Sequence, residues 1–260
     1  VSFFVNGPSQ SINTTVVNSL SCNNVTAAIG GANFPTMEEV RNLVAFNFSA
    51  QKRAVTVSDY DSLIRTMPSQ FGAPAKVAIT EENNKIKIQM LAYDESGALT
   101  EIVSNTLKNN VANYLSNYRM INDYISIESA NVIDLGINID VVLDNSQTQG
   151  VVISQIVNLV SAYFDPTNRQ MGQNVNISNL RRDIQNQNGV ISISDIKVFN
   201  KVGGQYSSSQ TSQRYIDDTT KEIELIDDTI FAEPNQTYQI RYANKDINVR
   251  VKNLTTVNFS

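Results

Sequence analysis

The stretch Ile133-Asp134-Leu135-Gly136-Ile137-Asn138-Ile139-Asp140-Val141-Val142-Leu143 decides the fold of this 260-residue chain. Apolar and polar side chains alternate along it, which is the period-two pattern of a strand with one buried face and one wet face. Apolar residues at helical spacing flank it on both sides, over residues 99–119 and 149–163. This order predicts an α+β fold in which helices pack on one face of a largely antiparallel sheet.

Further strands are predicted on either side of this centre. Residues 76–80 and 85–93 form an apparent hairpin around a polar turn, and residues 124–128 form another strand. The strand predicted over residues 190–199 changes its apolar phase part of the way along. That slip predicts a β-bulge near Asp195.

Three helix starts carry capping signals. Thr36 and Glu39 fit a capping box, which predicts a helix through about residue 47 because the two side chains satisfy each other's backbone amides. Ser58 is the predicted cap of a second helix that stops before Pro68. Ser178 is the predicted cap of a short third helix.

The chain divides into four predicted segments. Residues 1–35 form an extended N-terminal arm, and residues 36–200 form the α+β domain. Residues 201–220 lack periodicity and are predicted to be a polar loop. Residues 221–260 are predicted to form a small C-terminal β-meander, with strands at residues 223–225, 238–242 and 247–251.

The composition excludes several classes of site. The sequence has no His and one Cys, Cys22, so a His general base, a His-ligated zinc site and an internal disulfide cannot form within it. A formal charge of -5 leaves no broad cationic field for nucleic acid or anionic lipid. No stretch approaches the roughly 20 apolar residues that cross a bilayer. We expect a soluble protein with no cofactor and no metal, and with neither nucleic acid nor membrane as a partner.

Candidate reactive groups are scattered. Ser194 and Lys197 match Ser-x-x-Lys, but they lie in a predicted strand and not on one helical turn. Neighbouring carboxylates, as at Asp217 and Asp218, point apart in strands and turns, whereas a glycosidase needs two that face each other. The remaining acidic pairs, the basic pair and the aromatic group are Glu81-Glu82, Asp227-Asp228, Arg181-Arg182 and Tyr114, Tyr118 and Tyr124. The basic pair is expected to lie on an ordinary helix surface, and the tyrosines to form either a core cluster or an interface cluster. We therefore predict no catalytic, cofactor-binding or metal-binding residues and no enzyme.

One segment, Arg53-Ala54-Val55-Thr56-Val57-Ser58-Asp59-Tyr60, resembles the Arg-Ala-Val-Thr-x-x-Asp-Tyr signature of the baseplate J-like family, the wedge subunits of contractile phage tails. The likeness continues over roughly residues 40–200, through Gly172 and the strand that enters at Gly189, and is strongest to the wedge subunits of T-even-like phages. It implies structural roles for Arg53, Asp59 and Tyr60, as a capped helix start with an ion pair, and implies no catalytic residue.

The same resemblance implies a function in assembly. Subunits of that family pair with copies of themselves and with other wedge proteins, and build a ring around the tail hub. The implied location is the tail baseplate of the virion, assembled in the host cell cytoplasm. The alternative function is a carbohydrate-binding or carbohydrate-cleaving tail module, motivated by the paired acids and the tyrosines.

Overall fold

The computed structural model of the chain describes residues 53–82, 85–144 and 148–252, together with Met37 and two short strands. These strands are β1 (Ser2–Phe3) and β2 (Gln10–Ser11), which pair antiparallel. The helix predicted from Thr36 falls outside the described residues apart from Met37, and so does most of the N-terminal arm.

The first structural unit is a four-stranded sheet under two helices. Its elements are α1 (Val57–Arg65), β3 (Lys76–Glu82), β4 (Lys85–Tyr93), β5 (Leu99–Thr100), α2 (Asn105–Ser116) and β6 (Tyr124–Ser129). Strand β4 is central, antiparallel to β3 and β5 and parallel to β6. The apolar residues of α1 and α2 pack on one face of this sheet, around Tyr60, Ile88 and Leu115. The predicted hairpin and the strand at residues 124–128 are confirmed.

The second unit has a larger, six-stranded sheet, also covered by helices on one face, and a separate two-stranded sheet. Its elements are β7 (Asn131–Leu143), α3 (Gln149–Tyr163), β8 (Val175–Asn176), α4 (Ile177–Gln185), β9 (Val190–Lys201), β10 (Tyr215–Asp217), β11 (Glu222–Ile223), β12 (Thr229–Ile230), β13 (Gln236–Gln239), α5 (Ala243–Asp246) and β14 (Ile247–Val251). The alternating apolar residues of β7, from Ile133 to Val141, face α3 and α4 in one core. The predicted burial of one face of this strand is confirmed.

The C-terminal strands differ from the prediction. Strands β10, β11, β9 and β7 form an antiparallel series, but β13 and β14 both pair parallel with the other edge of β7. The sheet is therefore mixed, and the largely antiparallel sheet and the separate C-terminal β-meander are not confirmed. Within the segment predicted as a polar loop, Tyr215–Asp217 forms β10. Local alternation predicts that a strand forms, but a long-range partner sets its direction.

The two units are joined where two consecutive strands meet. β6 and β7 follow each other directly, and the chain changes sheets at Ala130, whose N–H donates to Met90 of the first sheet over 2.9 Å. The next amide, of Asn131, donates to Asn235 beside the second sheet. Leu91, Leu99, Ala130 and Val132 form a small buried cluster at this junction. The chain crossing at Ala130 and this buried cluster hold the two cores in one arrangement.

The helix starts correct three predictions. The N-cap of α1 is Thr56 and not Ser58, since Thr56 accepts from the amide of Asp59 while Asp59 accepts from the amide of Thr56. Helix α4 is capped by Asn176 and not by Ser178. Helix α2 begins after its cap Ser104, because Leu99–Thr100 pairs with β4 first. A cap must stand two or three residues before the amide that it binds, so neighbouring Ser and Thr residues compete for the position.

Two further outcomes concern β9 and the membrane. The pairing of β7 with β9 shifts register between Ile193 and Asp195, which confirms the predicted bulge. None of the helices in the described part of the chain is long and apolar enough to cross a bilayer.

Candidate interaction surface

The Ser-x-x-Lys pattern has no catalytic geometry. Ser194 is the extra residue at the bulge of β9, and Lys197 lies further along the same strand. The Lys197 ammonium is 3.0 Å from Glu222, an ion pair that raises the pKa of this lysine. An acyl-transfer site needs a neutral amine that accepts a proton from the serine, and this arrangement favours the opposite state.

The paired carboxylates serve local turns. Asp217 accepts from the amide of Thr219 over 2.8 Å and from the hydroxyl of Thr220 over 2.9 Å, and these hydrogen bonds lower the pKa of its carboxyl. Asp227 and Asp228 both have positive φ, in a tight turn between Ile226 and Thr229. Acids held in this way do not face each other across a cleft.

The remaining predicted charges also lie on ordinary surfaces. Arg182 lies 3.5 Å from the neighbouring Asp183, with both side chains exposed. The ion pair implied for Arg53 does not form among the described residues. Tyr60 is fully buried, and its hydroxyl donates to the carboxylate of Asp123 over 2.5 Å. No group of three or more potential metal-ligating side chains converges within the described ranges.

A buried polar network joins the two units. Asp134 on β7 has no exposed surface, and its carboxylate accepts from the amide of Ser207 over 2.7 Å and from Gln239 over 2.9 Å. The Gln239 amide also bonds the N–H and the C=O of Leu99, at 3.0 and 3.1 Å. Ser207 donates to Glu101 over 2.8 Å. This network therefore links the first sheet, the second sheet and the loop after β9.

The network is structural. Burial raises the pKa of Asp134, and the hydrogen bonds from Ser207 and Gln239 oppose that rise. Sequence alternation placed Asp134 on the wet face of its strand, but the loop after β9 covers that face. An acid in an alternating strand is ordinarily solvated, so the sequence carries no signal for this site.

The tyrosines predicted as a cluster divide between core and surface. Tyr114 and Tyr118 lie 5.1 Å apart by ring centroid and pack against the first core. Tyr124 is 67% exposed, near the fully exposed Ile121. Val55 is also exposed, and it follows Ala54, which pairs with Arg119. Exposed apolar side chains thus collect at one end of the first unit, as at surfaces that bind other proteins.

The first sheet also has a groove along its β6 edge. Its volume is about 440 Å³, and its floor contains the half-buried Ile125 and Ile127. Asn, Ala and Ser side chains of α2 form one wall, and the cations at the groove are Lys108 and Arg119. In the part of the chain that the structure describes, β6 pairs with β4 alone, so its other edge is open. An open edge beside an apolar floor is suited to binding an added strand.

Comparisons with known proteins support the fold. No protein-family model matches the chain, and no curated protein matches its sequence. A solved structure that does match is a chain of the cryo-EM baseplate of the anti-feeding prophage, six-fold symmetrised, with 12% identity and a TM-score of 0.50. The match covers 79% of this chain and 42% of that one, so this chain spans less than half the length of that baseplate protein. At this level of identity the likeness concerns the fold.

Proposed function

We propose that this chain is a structural subunit of a contractile phage tail baseplate, a wedge protein that binds copies of itself and other wedge proteins in the ring around the tail hub. The observation that carries the proposal is the fold shared with a baseplate chain over 79% of the present sequence. The signature beginning at Arg53 points to the same class, in particular to the wedge subunits of T-even-like phages.

The surface chemistry supports assembly over catalysis. Charged residues make up only 17% of the chain, so its polar surface consists largely of neutral side chains. Such surfaces form hydrogen-bonded interfaces without the large desolvation cost of buried charges. Open sheet edges and exposed apolar side chains at one end of the first unit provide surfaces for contact. The proposed location is the virion tail baseplate, with assembly in the host cytoplasm.

The positions of the acids and tyrosines favour the wedge role over the carbohydrate-active alternative. That alternative rested on paired acids and on a tyrosine cluster. Of the described pairs, Glu81-Glu82 ends strand β3, Asp217-Asp218 spans the end of β10, and Asp227-Asp228 lies in a turn. Tyr114 and Tyr118 belong to a core. The wedge role is therefore the function that we propose.

Two measurements test the wedge role. Sedimentation velocity of the purified chain over a wide concentration range should show concentration-dependent self-association. Mass spectrometry and antibody labelling of intact phage particles should place the protein at the baseplate. A chain that stays monomeric, binds no other tail protein and is absent from purified particles would refute the proposal.

A further inference from the structure

We propose that self-association uses the two open edges of the first sheet, with strand β3 of one copy adding to strand β6 of a second copy. This inference rests on the proposed function and specifies its self-contact. The occupant of the groove beside β6 is thus the β3 edge of an identical chain.

The two strands are suitable partners in length and position. The first sheet has the order β3, β4, β6, so β3 and β6 are its opposite edges. β3 has seven residues and β6 has six, and within the described residues each of them pairs with β4 alone. Adding one edge to the other extends the sheet and satisfies backbone groups on both strands.

Strand direction favours the pairing. β3 is antiparallel to β4, and β4 is parallel to β6, so β3 and β6 run in opposite directions. A second copy in a similar orientation therefore presents β3 antiparallel to β6. Antiparallel pairing is the slightly more stable type of ladder.

The apolar side chains of β3 and β6 also lie on the same face of the sheet. Ile79 of β3 pairs with Ile88 of β4, and Ile88 pairs with Ile127 of β6, so these three share the helix-covered face. By the same register, Glu81 shares that face with Ile125. In the extended sheet, Ile79 of one copy lies beside the isoleucine floor of the groove in the next.

Charge complementarity selects β3 as the occupant. None of the ion pairs in the described part of the chain involves the groove cations Lys108 and Arg119. Lys108 donates to the hydroxyl of Ser129, and Arg119 donates to the carbonyl oxygen of Asp123. β3 ends in two exposed acids, Glu81 and Glu82, and Glu81 lies on the groove side. Antiparallel addition brings this acid to a cationic groove, which favours correct register and disfavours like-charged partners.

The contact is head-to-tail because two different edges meet. A bound pair of copies keeps one free β3 edge and one free β6 edge, so the contact repeats from copy to copy. Repetition of a heterologous contact closes into a ring or extends into a filament, whereas a single self-complementary patch stops at a dimer.

Charge reversals in two chains provide the test. Arg119→Glu and Glu81→Lys should each weaken self-association measured by sedimentation velocity by at least about tenfold, since the register places Glu81 beside Ile125, at the Arg119 end of the groove, and each change puts like charges together. An equimolar mixture of the two variants should regain association, because each contact in the mixed complex then joins opposite charges. Glu95→Lys is the matched control, since Glu95 is exposed in the turn between β4 and β5 and on neither edge strand, so the same charge change there should leave association unchanged.

A second variant tests the groove by side-chain bulk, because its added positive charge would by itself attract the acidic β3 strand and so cannot explain a loss of association. Ala112 is exposed on α2 and lines the groove, so Ala112→Arg should fold normally and block the added strand. If the wild-type chain associates and neither the charge reversals nor Ala112→Arg weakens it, the edge contact is wrong while the wedge role stands. If the wild-type chain does not associate at any concentration, both the edge contact and the proposed self-association are wrong.

Discussion

Replacement of Gln239 by Leu would remove the centre of the network that joins the two units. The Gln239 side chain is 1% exposed and makes three hydrogen bonds, two to the backbone of Leu99 and one to Asp134. Leucine has a similar volume, so the substitution leaves little empty space. It therefore isolates the effect of the lost polar contacts.

The expected loss of stability follows from the groups left behind. The N–H and C=O of Leu99 and one carboxylate oxygen of Asp134 would be buried without this partner. Each such group costs about 1–3 kcal/mol, and the added apolar burial of leucine returns part of the sum. We expect the free energy of unfolding to fall by about 3–5 kcal/mol, since buried networks lose more than isolated surface bonds.

Urea unfolding followed by circular dichroism measures this change. Gln205→Leu is the matched control, because Gln205 is exposed on the loop after β9, and it should change the free energy of unfolding by less than about 0.5 kcal/mol. A loss below about 1 kcal/mol for Gln239→Leu would refute the reasoning, since the buried partners would then find other donors and acceptors at little cost.

Three further outcomes are expected. Burial alone would raise the pKa of Asp94, but hydrogen bonds and Arg241 hold this pKa below its usual value. Asp94→Asn should therefore cost about 1–3 kcal/mol at pH 7. In urea titrations at several pH values, this difference should begin to shrink below about pH 4 and be lost as the pH falls through the lowered pKa of the folded state. Gly172→Ala should lower the free energy of unfolding by about 1–3 kcal/mol, because φ at Gly172 is +69° and a Cβ would lie 3.2 Å from a backbone atom. Gly136→Ala should lower it by less, since the close neighbour there is the flexible end of a lysine side chain, and thermal unfolding measures both. Thr56→Ala should cost about 1 kcal/mol in the same measurement through loss of the α1 cap.

Local patterns predicted most of the elements because periodicity reflects which face of each element is buried. The alternation from Ile133 to Leu143 became β7, and the helical spacing over residues 149–163 became α3 with the predicted bounds. Strand β9 carries its bulge where the apolar phase slips. Capping was predicted less well, since Thr56 and Ser58 satisfy the same local rule and the folded backbone selects one.

The candidate surface depended on contacts that no local pattern contains. Nothing in the local sequence distinguishes Tyr114 from Tyr124, yet Tyr114 packs against the first core and Tyr124 is exposed. Among the described residues, β6 pairs only with β4 and therefore has an open edge, and this depends on the order of the strands in the sheet. Sequence analysis therefore predicted an assembly role through resemblance, but not the surface that would perform it.

The sequence by itself determined the α+β class, most strands and helices, and the absence of histidine chemistry, because these depend on residue identity and on short-range periodicity. Tertiary structure alone decided that β13 and β14 run parallel to β7, that Asp134 is buried, and that β3 and β6 are edge strands among the described residues. The physical reason is that strand partners and coverage by distant loops depend on contacts between residues far apart in the chain, whose free energies a local pattern does not contain.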